Sequence, residues 1–144
     1  MKPTLEFTVY GSPQPKGSKT AFPIRRKGGK VGVAVREGRP GSPGEEWRRR
    51  VEAVVQELAG RGNGLITGPL RVRMEFYLYR PKSIPKHRHL PEVRPDLSKL
   101  IRAVEDPMVG ALITDDAQIV ELECRKEYGD VPRVEVFVWP AEGA

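Results

Sequence analysis

Four aspartates between residues 96 and 116 are the side chains whose type and spacing could do chemistry: Asp96, Asp106 and the adjacent pair Asp115 and Asp116. Adjacent carboxylates repel each other, and the repulsion is best tolerated where a cation lies between or beside them. Asp96 follows Arg94-Pro95 at the head of an apolar-periodic run, where a carboxylate also complements the positive end of a helix by ~0.3–1 kcal/mol. Asp106 falls toward the other end of that run, where the helix dipole disfavours it. Taken singly, helix-start and turn chemistry accounts for Asp96 and for Asp115-Asp116. Taken together, these hard oxygen donors suit Mg²⁺ or Mn²⁺, ions that keep several waters and act beside phosphates. Such an ion activates a water and neutralises phosphate charge in phosphodiester cleavage, while a nearby Lys or Arg steadies the equatorial oxygens. A zinc site or an internal disulfide lacks residues, because the chain has one cysteine, Cys124, and two histidines, His87 and His89.

The charge pattern points to a polyanionic partner. The 144 residues carry 25 Lys+Arg against 19 Asp+Glu, for a net charge of +6. Residues 1–90 hold 19 basic and 7 acidic side chains, and residues 91–144 hold 6 and 12. Lys16, Lys19, Arg25, Arg26, Lys27 and Lys30 lie in a glycine-rich segment able to follow a phosphate backbone, against the plainer expectation of a solubilising loop. Arg80, Lys82, Lys86 and Arg88 form a second basic stretch just before Asp96, so bound backbone would arrive beside the carboxylates. Neither expected helix offers Asn, Gln and Arg at helical spacing for base reading, which favours recognition of shape over sequence.

The elements that must position these groups follow from hydrophobic period. Leu5, Phe7 and Val9 alternate with polar residues as a strand, as do the apolar residues from Leu70 to Leu78. Between Lys16 and Gly44 eight Lys/Arg, seven Gly and one Glu predict a long flexible basic loop, with a short hairpin arm within Lys30–Val35 at most. Ser42-Pro43-Gly44-Glu45 forms a capping box ahead of Trp47, Val51, Val54, Val55 and Leu58, a helix expected to stop at Gly60. Arg48, Arg49 and Arg50 read as its solvated face. A proline-rich basic stretch runs from Arg80 to Pro95. A second helix, carrying Leu97, Leu100, Ile101, Val104 and Met108, is expected from about Pro95 with a disturbance at Pro107. Strands at 119–128 and 133–139 close the chain. This order predicts a single α/β domain over 1–144 with a mixed sheet and two main helices. With 38% hydrophobic and 31% charged residues, no apolar run near the ~20 residues of a membrane span and no signal-peptide pattern, a cytoplasmic protein is expected.

The run Arg94-Pro95-Asp96-Leu97-Ser98-Lys99-Leu100-Ile101-Arg102-Ala103-Val104-Glu105-Asp106, followed by Asp115-Asp116-Ala117-Gln118-Ile119-Val120 and then Lys126, resembles the core of the RusA-type Holliday-junction resolvases. Gly11-Ser12-Pro13-Gln14-Pro15-Lys16-Gly17 resembles the opening of their phage and prophage branch. The likeness spans most of the chain apart from residues 20–44. It implies a RusA-like fold and a small Mg²⁺-dependent homodimeric endonuclease that makes paired symmetric nicks in four-way DNA junctions during recombination and repair. By position, Asp96 and Asp116 match metal ligands and Asp106 and Asp115 match frequently acidic positions. Arg102 falls where the family often has a lysine important for activity, and Lys126 matches a basic residue on the following strand. Ser98 stands where the family has the second aspartate of D-x-D, and Lys99 where Asn is common. A hydroxyl is a much poorer ligand for a hard dication. Asp115 or Asp106 replaces the missing ligand, or metal affinity is weaker, or the protein binds junctions without cutting; retained activity is the expectation. The alternatives are a catalytically impaired junction- or nucleic-acid-binding protein of the same fold, or an RNA-binding accessory domain. A two-fold dimer would match a two-fold junction, and Tyr77, Tyr79, Phe137 and Trp139 could supply its interface.

Overall fold

Alternation along residues 70–78 decides which side of the molecule is dry. The computed structural model describes residues 1–17, 19–37 and 40–142, the side chains of 19–22 and 34–37 excepted. In chain order the elements are β1 (Leu5–Tyr10), β2 (Lys19–Arg25), β3 (Val31–Glu37), α1 (Pro43–Arg61), β4 (Leu70–Leu78), α2 (Leu97–Met108), β5 (Ile119–Tyr128) and β6 (Arg133–Pro140), with a 3₁₀ turn over Asp116–Gln118. Four strands form a mixed sheet in the order β1-β6-β4-β5, in which only β4 and β5 run parallel. Cross-strand register aligns Phe7, Val136 and Met74, and likewise Val9, Val134 and Phe76, on one face. Trp47, Val51 and Val55 of α1 and Leu100, Val104 and Met108 of α2 seal that same face. The expected single α/β domain, with a mixed sheet and two main helices, is the architecture observed.

The opposite face carries a ladder of paired charges and rings. Arg73 meets Glu75 at 2.5 Å, Arg133 meets Glu135 at 2.7 Å, and Arg125 meets Glu127 at 3.1 Å. Arg71 stands 4.8 Å over the Trp139 ring and Arg133 3.8 Å over Tyr77.

The expected loop at 16–44 is the main correction. Its centre is an antiparallel hairpin that forms its own two-stranded sheet, β2 pairing with β3 from Lys19↔Glu37 to Arg25↔Val31. A ladder satisfies backbone donors and acceptors by main-chain pairing, so low hydrophobicity did not forbid order here. Gly28 and Gly29, at φ of 85° and 76°, supply the left-handed turn at its tip.

The helix ends also differ in detail. Ser42 caps α1, its Oγ accepting from Glu45 N–H at 3.3 Å, but the helix passes Gly60 and stops at Gly62. Pro107 lies one residue from the end of α2, so the single i→i−4 hydrogen bond it forfeits falls in the last turn and the helix before it is intact. Met74 has no exposed surface and sits mid-sheet between β5 and β6. Met74→Ala should lower unfolding free energy by about 2–5 kcal/mol, read from urea titration.

Candidate functional site

Two separate groups of side chains occupy opposite ends of the β4–β5 pair. At the end where both strands finish, a cavity of about 620 Å³ is lined by residues that include Tyr79, Arg94, Asp96, Lys99 and Tyr128. The proline-rich stretch forming its wall is held by two cations. Arg80 donates from its guanidinium to the carbonyls of Pro85 and Arg88, both at 2.8 Å, and lies 5.3 Å over the Tyr128 ring. Lys126 points to the helix side of β5, in register with Phe76. Its Nζ donates to the carbonyls of Val93 at 2.7 Å and Pro95 at 2.9 Å. Asp96 then caps α2 through its backbone carbonyl, which accepts from Lys99 and Leu100, while its exposed carboxylate takes no capping hydrogen bond. The helix start therefore does not consume the Asp96 side chain.

At the other end, Asp115 and Gln118 lock the 3₁₀ turn. Asp115 Oδ1 accepts from Ala117 N–H at 3.0 Å, and Gln118 Oε1 accepts from the N–H groups of Thr114 at 2.8 Å and Asp115 at 3.0 Å. Gln118 Nε2 donates to the carbonyls of Ile66 and Gly68, each at 2.9 Å, tying the turn to the segment that leads into β4. Asp116 is thereby presented at the surface. A hydrogen bond with Asp115 raises the Asp116 carboxyl above its ordinary value, with slight desolvation and the charges of Asp115 and Asp106 adding to the rise. Asp115 shifts the other way, chiefly because it accepts from the Ala117 N–H. Glu105 on α2 belongs to this group: partial burial, then the charges of Asp116 and Asp106, raise its carboxyl, and Arg102 opposes them.

The four aspartates expected as one oxygen cluster are thus not together. Asp96 and Asp106 stand ten positions apart on and at the start of α2, a rise of about 15 Å. Asp106 is ion-paired with Lys16 and lines a smaller cavity, about 220 Å³, beside Trp47 and Arg48. Among the described residues, no group of three or more His, Cys, Asp or Glu side chains is gathered to hold a metal. Glu105 and Gln118 were missed as site residues. The Gln118 position in D-D-x-Q was a visible signal, whereas Glu105 became apparent only once α2 was oriented against the turn. The sequence-expected phosphate contacts divide too. Arg80 is engaged with loop carbonyls, Arg88 pairs with Glu92 at 3.1 Å, and Lys16 pairs with Asp106. Arg25, Arg26, Lys27, Lys30, Lys82 and Lys86 are exposed; the side chain of Lys19 lies outside the described residues. Burial pushes the Cys124 thiol up to about 11, which disfavours the reactive thiolate.

A family model described as endodeoxyribonuclease RusA matches residues 12–139, a stretch that contains both groups. The chain belongs to the RusA endodeoxyribonuclease family. Membership marks it as a nuclease of the Holliday-junction resolvase type. The chain is also similar to the Bacillus subtilis (strain 168) protein described as "Uncharacterized protein YqaN", at 29% identity over 93% of this chain and 94% of the relative. In this RusA-family chain the D-D-x-Q run is a mechanical unit: one carboxylate and the glutamine hold the turn, and the second carboxylate faces out.

Gln118→Leu removes both pairs of these hydrogen bonds. It should cost about 1–3 kcal/mol and speed hydrogen exchange at the amides of residues 114–117. Glu105→Gln gives a pH-dependent result of predictable sign. Folding raises the Glu105 carboxyl, so the ionised group costs stability above that raised value, and the cost disappears once the carboxyl is protonated in both states. The variant should melt higher than wild type at neutral pH, with the gain falling to zero as pH drops below the ordinary carboxylate range.

Proposed function

We propose that this protein is a Mg²⁺-dependent, Mn²⁺-tolerant, structure-selective endonuclease that resolves four-way DNA junctions by paired symmetric nicks, working in the cytoplasm as a homodimer. The observation that carries the proposal is the Asp115–Gln118 turn, which holds Asp116 outward among carboxylates that repel it. The charges of Asp116 and Asp106 disfavour ionised Glu105, and those of Asp115 and Asp106 disfavour ionised Asp116; oxygen donors of this kind suit a hard dication. Asp116 and Asp115 would hold it at this end of the strand pair, with the Asp96 carboxylate coming from a second copy of the chain. When bound, the ion would supply water activation and charge neutralisation at the phosphate.

The chain's own groups do the rest. Lys126 holds the carbonyls of Val93 and Pro95 and so aims the backbone that presents Asp96, acting as a positioning residue. Arg102 sets a guanidinium near Glu105 on the exposed side of α2, where it can face an equatorial phosphate oxygen. Lys82 and Lys86, in the stretch leading to Asp96, bind the incoming backbone electrostatically. Because one chain gathers no three ligating side chains among its described residues, the homodimer has a chemical purpose: a second copy supplies the carboxylates that α2 keeps apart within one. Two copies also match the two strands to be cut.

Ser98 motivates a second reading, a junction-binding protein that has lost cleavage. A labelled four-way junction incubated with Mg²⁺ or Mn²⁺ separates the two. Wild type should give symmetric nicks and Asp116→Asn none. Tight binding without nicks under either ion would favour the second reading, and restored cutting in Ser98→Asp would identify the missing ligand as its cause.

A further inference from the structure

The β2–β3 hairpin combines two surfaces that water treats oppositely. Pro23 and Arg25 lie opposite Val33 and Val31 on one face. Val31 is 73% and Val33 63% exposed, and Pro23 is exposed as well. At the tip, Arg25, Arg26, Lys27 and Lys30 are exposed, and no Asp or Glu occurs anywhere from residue 7 to residue 36. The guanidinium of Arg26 packs over Gly32, whose absent side chain leaves room for it. The turn is closed by Arg26 N–H donating to the Lys30 carbonyl at 2.7 Å. Strands of seven residues span about 23 Å, and among the described residues neither strand joins the main sheet.

A ligand that satisfies both surfaces must offer phosphates and apolar area within a few ångströms of each other. DNA does so, but in a continuous duplex the base faces are stacked away and the grooves expose mostly polar base edges. Base-pair faces become available where stacking is interrupted, at a branch point. Apolar side chains, proline among them, are suited to wedging between base steps once cations have engaged the flanking phosphates.

We propose that the β2–β3 hairpin inserts at the branch point of a DNA junction, with Pro23, Val31 and Val33 against unstacked base pairs and the tip cations on the adjoining phosphates. The assignment rests on the junction-resolving function proposed above and adds a contact for that substrate which lies outside the carboxylate groups.

The test uses the full chain in Ca²⁺, which keeps the junction folded, and two four-way junctions carrying 2-aminopurine. One has the probe beside the branch point and the other has it well out along an arm. Saturating wild-type protein should raise fluorescence several-fold at the branch and leave the arm probe unchanged. The double variant Val31→Ser/Val33→Ser should lose most of that rise while junction affinity falls less than tenfold. Both valines are exposed, so the fold should survive, and circular dichroism checks this. Lys27→Gln/Lys30→Gln should keep the fluorescence rise at saturation but flatten the salt dependence of binding by about 2 in log–log slope. An undiminished branch signal in the valine variant, or an equal rise from the arm probe, overturns the insertion. Failure of wild type to bind either junction overturns the underlying function and the insertion with it.

Discussion

Parallel neighbours cannot be joined by a tight turn. The chain that leaves β4 at Leu78 must travel back along the sheet before β5 can start at Ile119. α2 is that return path. Its apolar stripe of Leu100, Val104 and Met108 is buried against the sheet, which fixes both its direction and its rotation. The residues before it gather where the strands end, and the residues after it gather where they begin. The separation of Asp96 from Asp116 is thus a property of the topology. No choice of rotamer in one chain brings them together, because a helix of twelve residues is a spacer of about 18 Å.

Around this spacer the cations have diverged in role. Arg80 and Lys126 each satisfy two carbonyls of the proline-rich wall. The prolines there have no N–H to give, so carbonyls in that stretch outnumber the backbone donors that could meet them. Side-chain cations make up the deficit, and Asp96 inherits a defined starting point for its helix. Lys16 does comparable work at the far end, linking the segment that enters the hairpin to Asp106 and, through its backbone N–H, to the Lys99 carbonyl at 3.0 Å. Positive charge thus divides between holding the site and meeting a ligand.

The elements with a strong apolar period were legible from sequence: β4, β5, β6 and the body of α1 fall within a residue or two of their expected bounds. The hairpin was not, because its order comes from main-chain pairing and a two-glycine turn, neither of which leaves a hydrophobic period in a basic segment. Asp115, Asp116 and Gln118 were visible as a motif, but not as a lock with one free carboxylate. That distinction depends on where the Gln118 amide finds the carbonyls of Ile66 and Gly68, about fifty positions away in sequence. Grouping Asp96 with Asp116 failed for a related reason. Acidic residues close in a motif invite clustering, and the rigid rise of the intervening helix opposes it. Glu105 was overlooked because its importance lies in which side of α2 meets the turn.

The ladder on the open face of the sheet has an electrostatic consequence. Arg73, Arg125 and Arg133 each sit against a carboxylate two residues along their own strand, and Arg71 is stacked on an indole. Fields from such tight dipoles decay within a few ångströms. On that side three of the arginine charges are offset at short range by their own strand neighbours. The hairpin tip and Lys82 and Lys86 carry their charge outward and exposed. For an approaching polyanion these exposed, outward cations supply the longer-range attraction, and the arginines of the ladder supply little.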